Sequence, residues 1–154
     1  MDTNRLPDDP RLMPELFQAL VAQSGRIKDT TLGKTLVALV DLRVSQINGC
    51  AYCIDMHARE LLAADGGDLQ RLNSLAAWRE VPFYSERERA ALQWAESLTL
   101  MRETHAPREH FDALAAHFSE REIAELTMAV GVINAWNRIA GGLRSPVARK
   151  PLAG

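Results

Sequence analysis

Apolar residues recur along most of the chain at intervals of three and four, the spacing that stacks side chains on one face of an α-helix. In "MPELFQALVAQSG", Leu16, Leu20 and Val21 share a side, Pro14 stands at a helix-start position and Gly25 ends the run. "DTTLGKTLVALVDLRVSQING" places Leu32, Leu36, Leu39, Val40, Arg43 and Val44 near helical spacing, with Asp29 or Thr30 as cap and Gly49 as the break. The next helix runs from about Cys50 through "HARELLAADGG", ended by Gly66 and Gly67, and "GDLQRLNSLAAW" follows with Asp68 as cap. "SERERAALQWAESLTLM" and "SEREIAELTMAVGVINAW" both open on Ser-x-x-Glu, Ser85 with Glu88 and Ser119 with Glu122. This is a capping box, in which each side chain satisfies a free backbone donor of the other residue. "APREHFDALAAHF" adds a helix with Pro107 near its start. No segment shows the two-residue alternation of a strand. The pattern predicts an all-α bundle of about seven helices over residues 11–144, with an N-terminal arm (1–10) and a C-terminal tail (145–154). Segment 123–140 is apolar on more than one side, which predicts a subunit interface and a homo-oligomer.

At 154 residues the chain suits one domain. Its net charge of −2 carries no basic excess, so neither nucleic acid nor an anionic membrane is expected as a partner. No apolar run approaches the roughly 20 residues of a membrane span. The opening "MDTNRLPDDPRLMPEL" lacks a basic region followed by an apolar stretch, and the expected compartment is the cytoplasm. There, thiols stay reduced, and a close cysteine pair points to catalysis or metal binding rather than to a staple.

The chain has two cysteines, Cys50 and Cys53, within "SQINGCAYCIDMH", and His57 follows four residues later. On a helix beginning near Cys50, the three residues lie at i, i+3 and i+7 and share a face. Unpaired backbone N–H groups at a helix start favour a thiolate, and a histidine one turn beyond Cys53 is the residue type suited to take a proton from it. Two other readings stand beside the redox dithiol. A zinc site would need a fourth ligand, from His105, His110, His117 or a neighbouring subunit. A buried structural pair would need no chemistry at all. The helix start, the facing histidine and the lack of any other cysteine favour the dithiol, with no metal and no cofactor.

"LVDLRVSQINGCAYCIDMHARE", with "AAWRE", "PFYSERERAAL", "WAE" and "INAWNR" further on, resembles the AhpD-like alkylhydroperoxidase branch of the carboxymuconolactone decarboxylase-like superfamily. The resemblance covers roughly residues 12 to 144. It implies an AhpD-like helical subunit in trimers or hexamers, acting as a thiol peroxidase or disulfide reductase. Cys53 would attack the peroxide, Cys50 would close the disulfide, and His57 would belong to the proton relay. An external dithiol, thioredoxin-like or lipoyl, would restore the thiols. Other members of the superfamily imply lactone decarboxylation, and a zinc-binding or degenerate, non-catalytic member is a further alternative.

The chain departs from the family pattern in two places. The relay glutamate that usually stands twelve residues before the first cysteine is Ala38 here, and the histidine between the cysteines is Tyr52. Glu15, Asp41 and Asp55 are nearby in sequence, with Asp41 nearly a full turn on from Ala38. Trp78, Trp94 and Trp136 read as core or interface anchors. The run Asn134 to Arg138 reads as a lock between helices, and Arg43 and Gln46 lie within reach of the motif.

Overall fold

Both capping boxes form as the sequence predicts. Ser85 Oγ accepts the backbone N–H of Glu88, whose carboxylate accepts the N–H of Ser85 at 2.9 Å. Ser119 and Glu122 repeat the exchange, also at 2.9 Å. The computed structural model describes residues 4–6 and 9–152, and everything between the termini is helix and short connection. The helices are α1 (Asp9–Leu12), α2 (Pro14–Lys28), α3 (Lys34–Asn48), α4 (Ala51–Asp65), α5 (Leu69–Ser74), α6 (Glu86–Thr99), α7 (Met101–Thr104), α8 (Arg108–Ala115) and α9 (Glu120–Leu143). A 3₁₀ segment, Leu75–Glu80, links α5 to α6.

The fold is thus all-α, with nine α-helices among the described residues where the hydrophobic pattern predicts about seven. The extra elements are the four-residue helices α1 and α7, too short to leave a periodic signal. Gly25 does not end a helix. It lies inside α2, which runs on to Lys28 and buries Ile27, and Asp29 caps its far end. The cap of α3 is accordingly Gly33, whose φ of 83° suits a residue without Cβ.

Helix α3 is the axis of the bundle, packed against α4, α6 and α9. Leu39, Val40, Leu61, Leu92 and Leu126 are fully buried around it. Truncating one of them removes transfer energy and leaves a hole. Leu39→Ala is expected to cost roughly 2–5 kcal/mol, read as a lowered urea midpoint with an unchanged slope.

Polar groups lock the helices where the sequence is least apolar. Asn48 Nδ2, at the end of α3, donates to Asn137 Oδ1 at 2.8 Å and to Asn134 Oδ1 at 3.0 Å on α9. Asn137 Nδ2 in turn donates to Ser45 Oγ at 3.0 Å. Arg43 turns towards Glu96, whose Oε1 also accepts the Trp78 indole N–H, each at 2.8 Å. Arg43 is therefore committed to the core, and Gln46 is bound to it at 3.3 Å. Trp78 and Trp94 are buried, while Trp136 meets Phe17 edge to face at 5.2 Å between ring centres.

The C-terminal residues fold back on α4. Arg59, clamped by Asp55, donates to the carbonyls of Lys150 and Pro151 at 2.9 Å. No helix among the described residues is long and apolar enough to cross a membrane.

Candidate active site

Asn48-Gly49 ends α3 and sets up the site. Gly49 takes a left-handed conformation, φ 68°, which turns the chain sharply into α4. Cys50 is then the extended N-cap residue of α4, one position outside the helix that the sequence pattern starts with it. Its Sγ accepts the backbone N–H of Cys53 at 3.3 Å, the place a serine or aspartate oxygen takes in other caps. Cys50 and Cys53 are joined as a disulfide with Cα atoms 5.3 Å apart. Both are 1% exposed and pack with Ala140, and Gly141 of α9 backs directly onto Cys50.

His57, one turn beyond Cys53 on the same face of α4, is 4% exposed. Its Nδ1 lies 2.8 Å from Glu60 Oε2 and 3.8 Å from Asp41 Oδ2. Lys28 Nζ, from α2, donates to Glu60 Oε1. Its other ring nitrogen, Nε2, is buried without a hydrogen-bond partner among the described residues. These four residues form the polar end of a cavity of about 580 Å³. Phe17 and Val21 of α2, Tyr52 and Met56 of α4, and Ile133 and Trp136 of α9 supply its walls.

The two carboxylates at His57 differ in charge state. Burial pushes the Asp41 carboxyl up from 3.8 to about 6, against the pull of His57. Glu60 is also raised by burial, but hydrogen bonds from His57 and Lys28 outweigh that and bring it down to about 2. Glu60 is therefore ionised at neutral pH and can only accept. Nδ1 of a neutral His57 must carry the hydrogen, which leaves the lone pair on Nε2.

The stability consequences run in opposite directions. The Asp41 contribution is full below about 3.8 and is lost as pH rises through about 6. That of Glu60 is present above 4.5 and is lost as pH falls towards about 2. Asp41→Asn is expected to remove the decline across the upper window and to be more stable than the parent near pH 7. Urea unfolding on either side of that window checks it, and parallel curves for the two proteins would contradict it.

Of the three carboxylates singled out from the sequence, Glu15, Asp41 and Asp55, Asp41 is the one that approaches His57. Glu15 is exposed on α2, and Asp55 is held by Arg59 on the outer side of α4. Ala38 is buried in an apolar cluster with Leu39, Leu42, Leu61 and Leu75. Glu60 and Lys28 escape the sequence reading. The i, i+3 spacing of His57 and Glu60 is a signal for the first, whereas the approach of Lys28 depends on how α2 packs. His105, His110 and His117 stay away from the cysteines. His110 bonds Ser97 Oγ at 3.0 Å, His105 caps α7, and the His117 carbonyl accepts from Arg87. Among the described residues no three His, Cys, Asp or Glu side chains are grouped to hold a metal ion.

The helical bundle thus holds a Cys-x-x-Cys disulfide at a helix start and, one turn on, a carboxylate-held histidine on a cavity wall. The chain belongs to the carboxymuconolactone decarboxylase family, whose sequence pattern matches residues 14–97, and within it to the AhpD-like proteins. It is 34% identical over 139 residues to the uncharacterized protein YdfG of Bacillus subtilis (strain 168), covering 90% of this chain and 94% of that one. Among solved structures it matches an Agrobacterium tumefaciens protein of unknown function, described as a candidate antioxidant defence protein AhpD. The TM-score is 0.90 at 42% identity, over 96% of this chain and 100% of that one. An uncharacterized peroxidase-related protein from Silicibacter sp. TM1040 matches with a TM-score of 0.76 at 25% identity, over 85% of this chain and 69% of that one.

Proposed function

We propose that the protein is a thiol-dependent peroxidase that uses Cys53 as nucleophile and Cys50 as resolving thiol, with an external dithiol as reductant. The observation that carries this reading is the Cys50–Cys53 disulfide at the start of α4, one turn from a buried histidine on a cavity wall. In the reduced protein, His57 Nε2 takes the Cys53 thiol proton, and the thiolate attacks the peroxide. A sulfur–oxygen bond forms and the oxygen–oxygen bond breaks, leaving a sulfenic acid on Cys53 and an alkoxide or hydroxide that recovers the proton from His57. Cys50, the N-cap residue of α4, then attacks the Cys53 sulfur as a thiolate. Water leaves and the disulfide closes. Two thiols of the external dithiol then reduce it by exchange.

The family resemblance adds a trimer or hexamer, a thioredoxin-like or lipoyl reductant and a cytoplasmic setting to this proposal. Exposed Leu12 and Leu16 at the start of the chain and Met128 on α9 support a homo-oligomer. The test is consumption of an organic hydroperoxide by the purified protein with dithiothreitol as reductant. Many turnovers per subunit are expected, and consumption no faster than dithiothreitol alone would end the proposal.

A further inference from the structure

We infer that Glu60, fastened by Lys28, is the positioning residue that sets His57 up for proton transfer, a role that position 38 cannot fill in this chain. The inference rests on the reading that Cys53 and His57 carry the chemistry. It begins from a choice that every neutral histidine must make. Its hydrogen can sit on either ring nitrogen, and only the other nitrogen is then a base. A buried ring with no partner would divide between the two forms.

Here the choice is made by geometry. Glu60 Oε2 stands 2.8 Å from Nδ1, and a carboxylate accepts without donating. The hydrogen is drawn to Nδ1, and Nε2 keeps its lone pair. Nε2 is also the buried atom that nothing in the described structure satisfies. Such an atom costs stability, and it is explained if the Cys53 thiol or a molecule in the cavity uses it.

Lys28 gives this arrangement its rigidity. It reaches across from α2 to the second oxygen of the same carboxylate, so Glu60 is gripped from both sides. An oriented carboxylate also stabilises the imidazolium that forms when Nε2 takes a proton, as the aspartate does in serine-protease triads. Asp41 adds a second negative group when ionised. At 3.8 Å from Nδ1 it lies beyond hydrogen-bond reach and acts through charge alone. Lys28, Asp41, Tyr52, His57 and Glu60 are the titratable groups that line the cavity, and α9 contributes only apolar wall. Ala38, one turn back along α3, faces leucines instead.

The experiment compares the full-length parent with Glu60→Ala, Glu60→Gln and Asp55→Asn. Asp55 serves as control because it pairs with Arg59 away from the cavity. Two readouts are taken: the ¹⁵N shifts of the His57 ring, which report its tautomer without any peroxide, and hydroperoxide consumption across pH. The parent is expected to hold the hydrogen on Nδ1. Glu60→Ala is expected to move population to the Nε2–H form and to slow consumption on the order of 100-fold. Glu60→Gln keeps a carbonyl acceptor but loses the charge. It should preserve the tautomer, fall between the other two in rate and change the pH profile. Asp55→Asn should match the parent in both readouts.

An unchanged ring tautomer in Glu60→Ala overturns the inference whatever the enzyme activity. A changed tautomer in a protein whose parent consumes no hydroperoxide upholds the positioning and overturns the peroxidase reading instead.

Discussion

Cys53→Ser is expected to abolish dithiol-dependent peroxide consumption, a loss on the order of 1,000-fold or more, because the covalent step has no other nucleophile. The chain has no third cysteine that could substitute. A serine hydroxyl in the same place is far less acidic than a thiol, and His57 alone does not make it attack an oxygen–oxygen bond. Cys50→Ser should behave differently. The first step survives, each subunit consumes about one equivalent of peroxide, and turnover then stalls at the Cys53 sulfenic acid because no internal thiol resolves it. Full multiple turnover by Cys50→Ser would mean that the external reductant attacks Cys53 directly.

Replacing His57 by glutamine should cost roughly 10²- to 10⁴-fold in the rate of thiol oxidation, the usual contribution of a positioned general base. Glutamine fills similar space and leaves the Lys28–Glu60 pair in place, so the effect is read on chemistry rather than on folding. The loss should shrink as pH rises towards the thiol range, because hydroxide then removes the proton that His57 handles. A loss of constant size across pH would point to packing instead. The rate of single-turnover oxidation of the reduced protein, followed from about pH 6 to pH 9, separates the two.

How far the sequence reached depends on the kind of signal. Capping boxes are local, and both were legible because Ser85–Glu88 and Ser119–Glu122 need only their own turn to form. The Asn48-Gly49 break was equally clear, since it needs one residue at positive φ. Gly25 misled, because a glycine within a helix costs only about 1 kcal/mol and the burial of Ile27 beyond it outweighs that. The four-residue helices α1 and α7 were invisible to a period of 3.6 residues.

At the site, spacing alone placed Cys53 and His57 one turn apart on α4, with Cys50 at its start as the N-cap. The carboxylate was harder to read, because residues from three helices meet there: Lys28 of α2, Asp41 of α3 and Glu60 of α4. The family pattern drew attention to position 38. The structure gives His57 its carboxylate partners at positions 41 and 60 instead.

If peroxide oxidises Cys53, the sulfenic acid formed there can be trapped before it is resolved. Reduced Cys50→Ser protein would be treated with one equivalent of an organic hydroperoxide and dimedone, then digested and mapped by mass spectrometry. A near-stoichiometric dimedone adduct on Cys53, formed far faster than on a free thiol, is expected. A Cys53 that stays unmodified while peroxide persists, or that reacts no faster than a simple thiol, would contradict it.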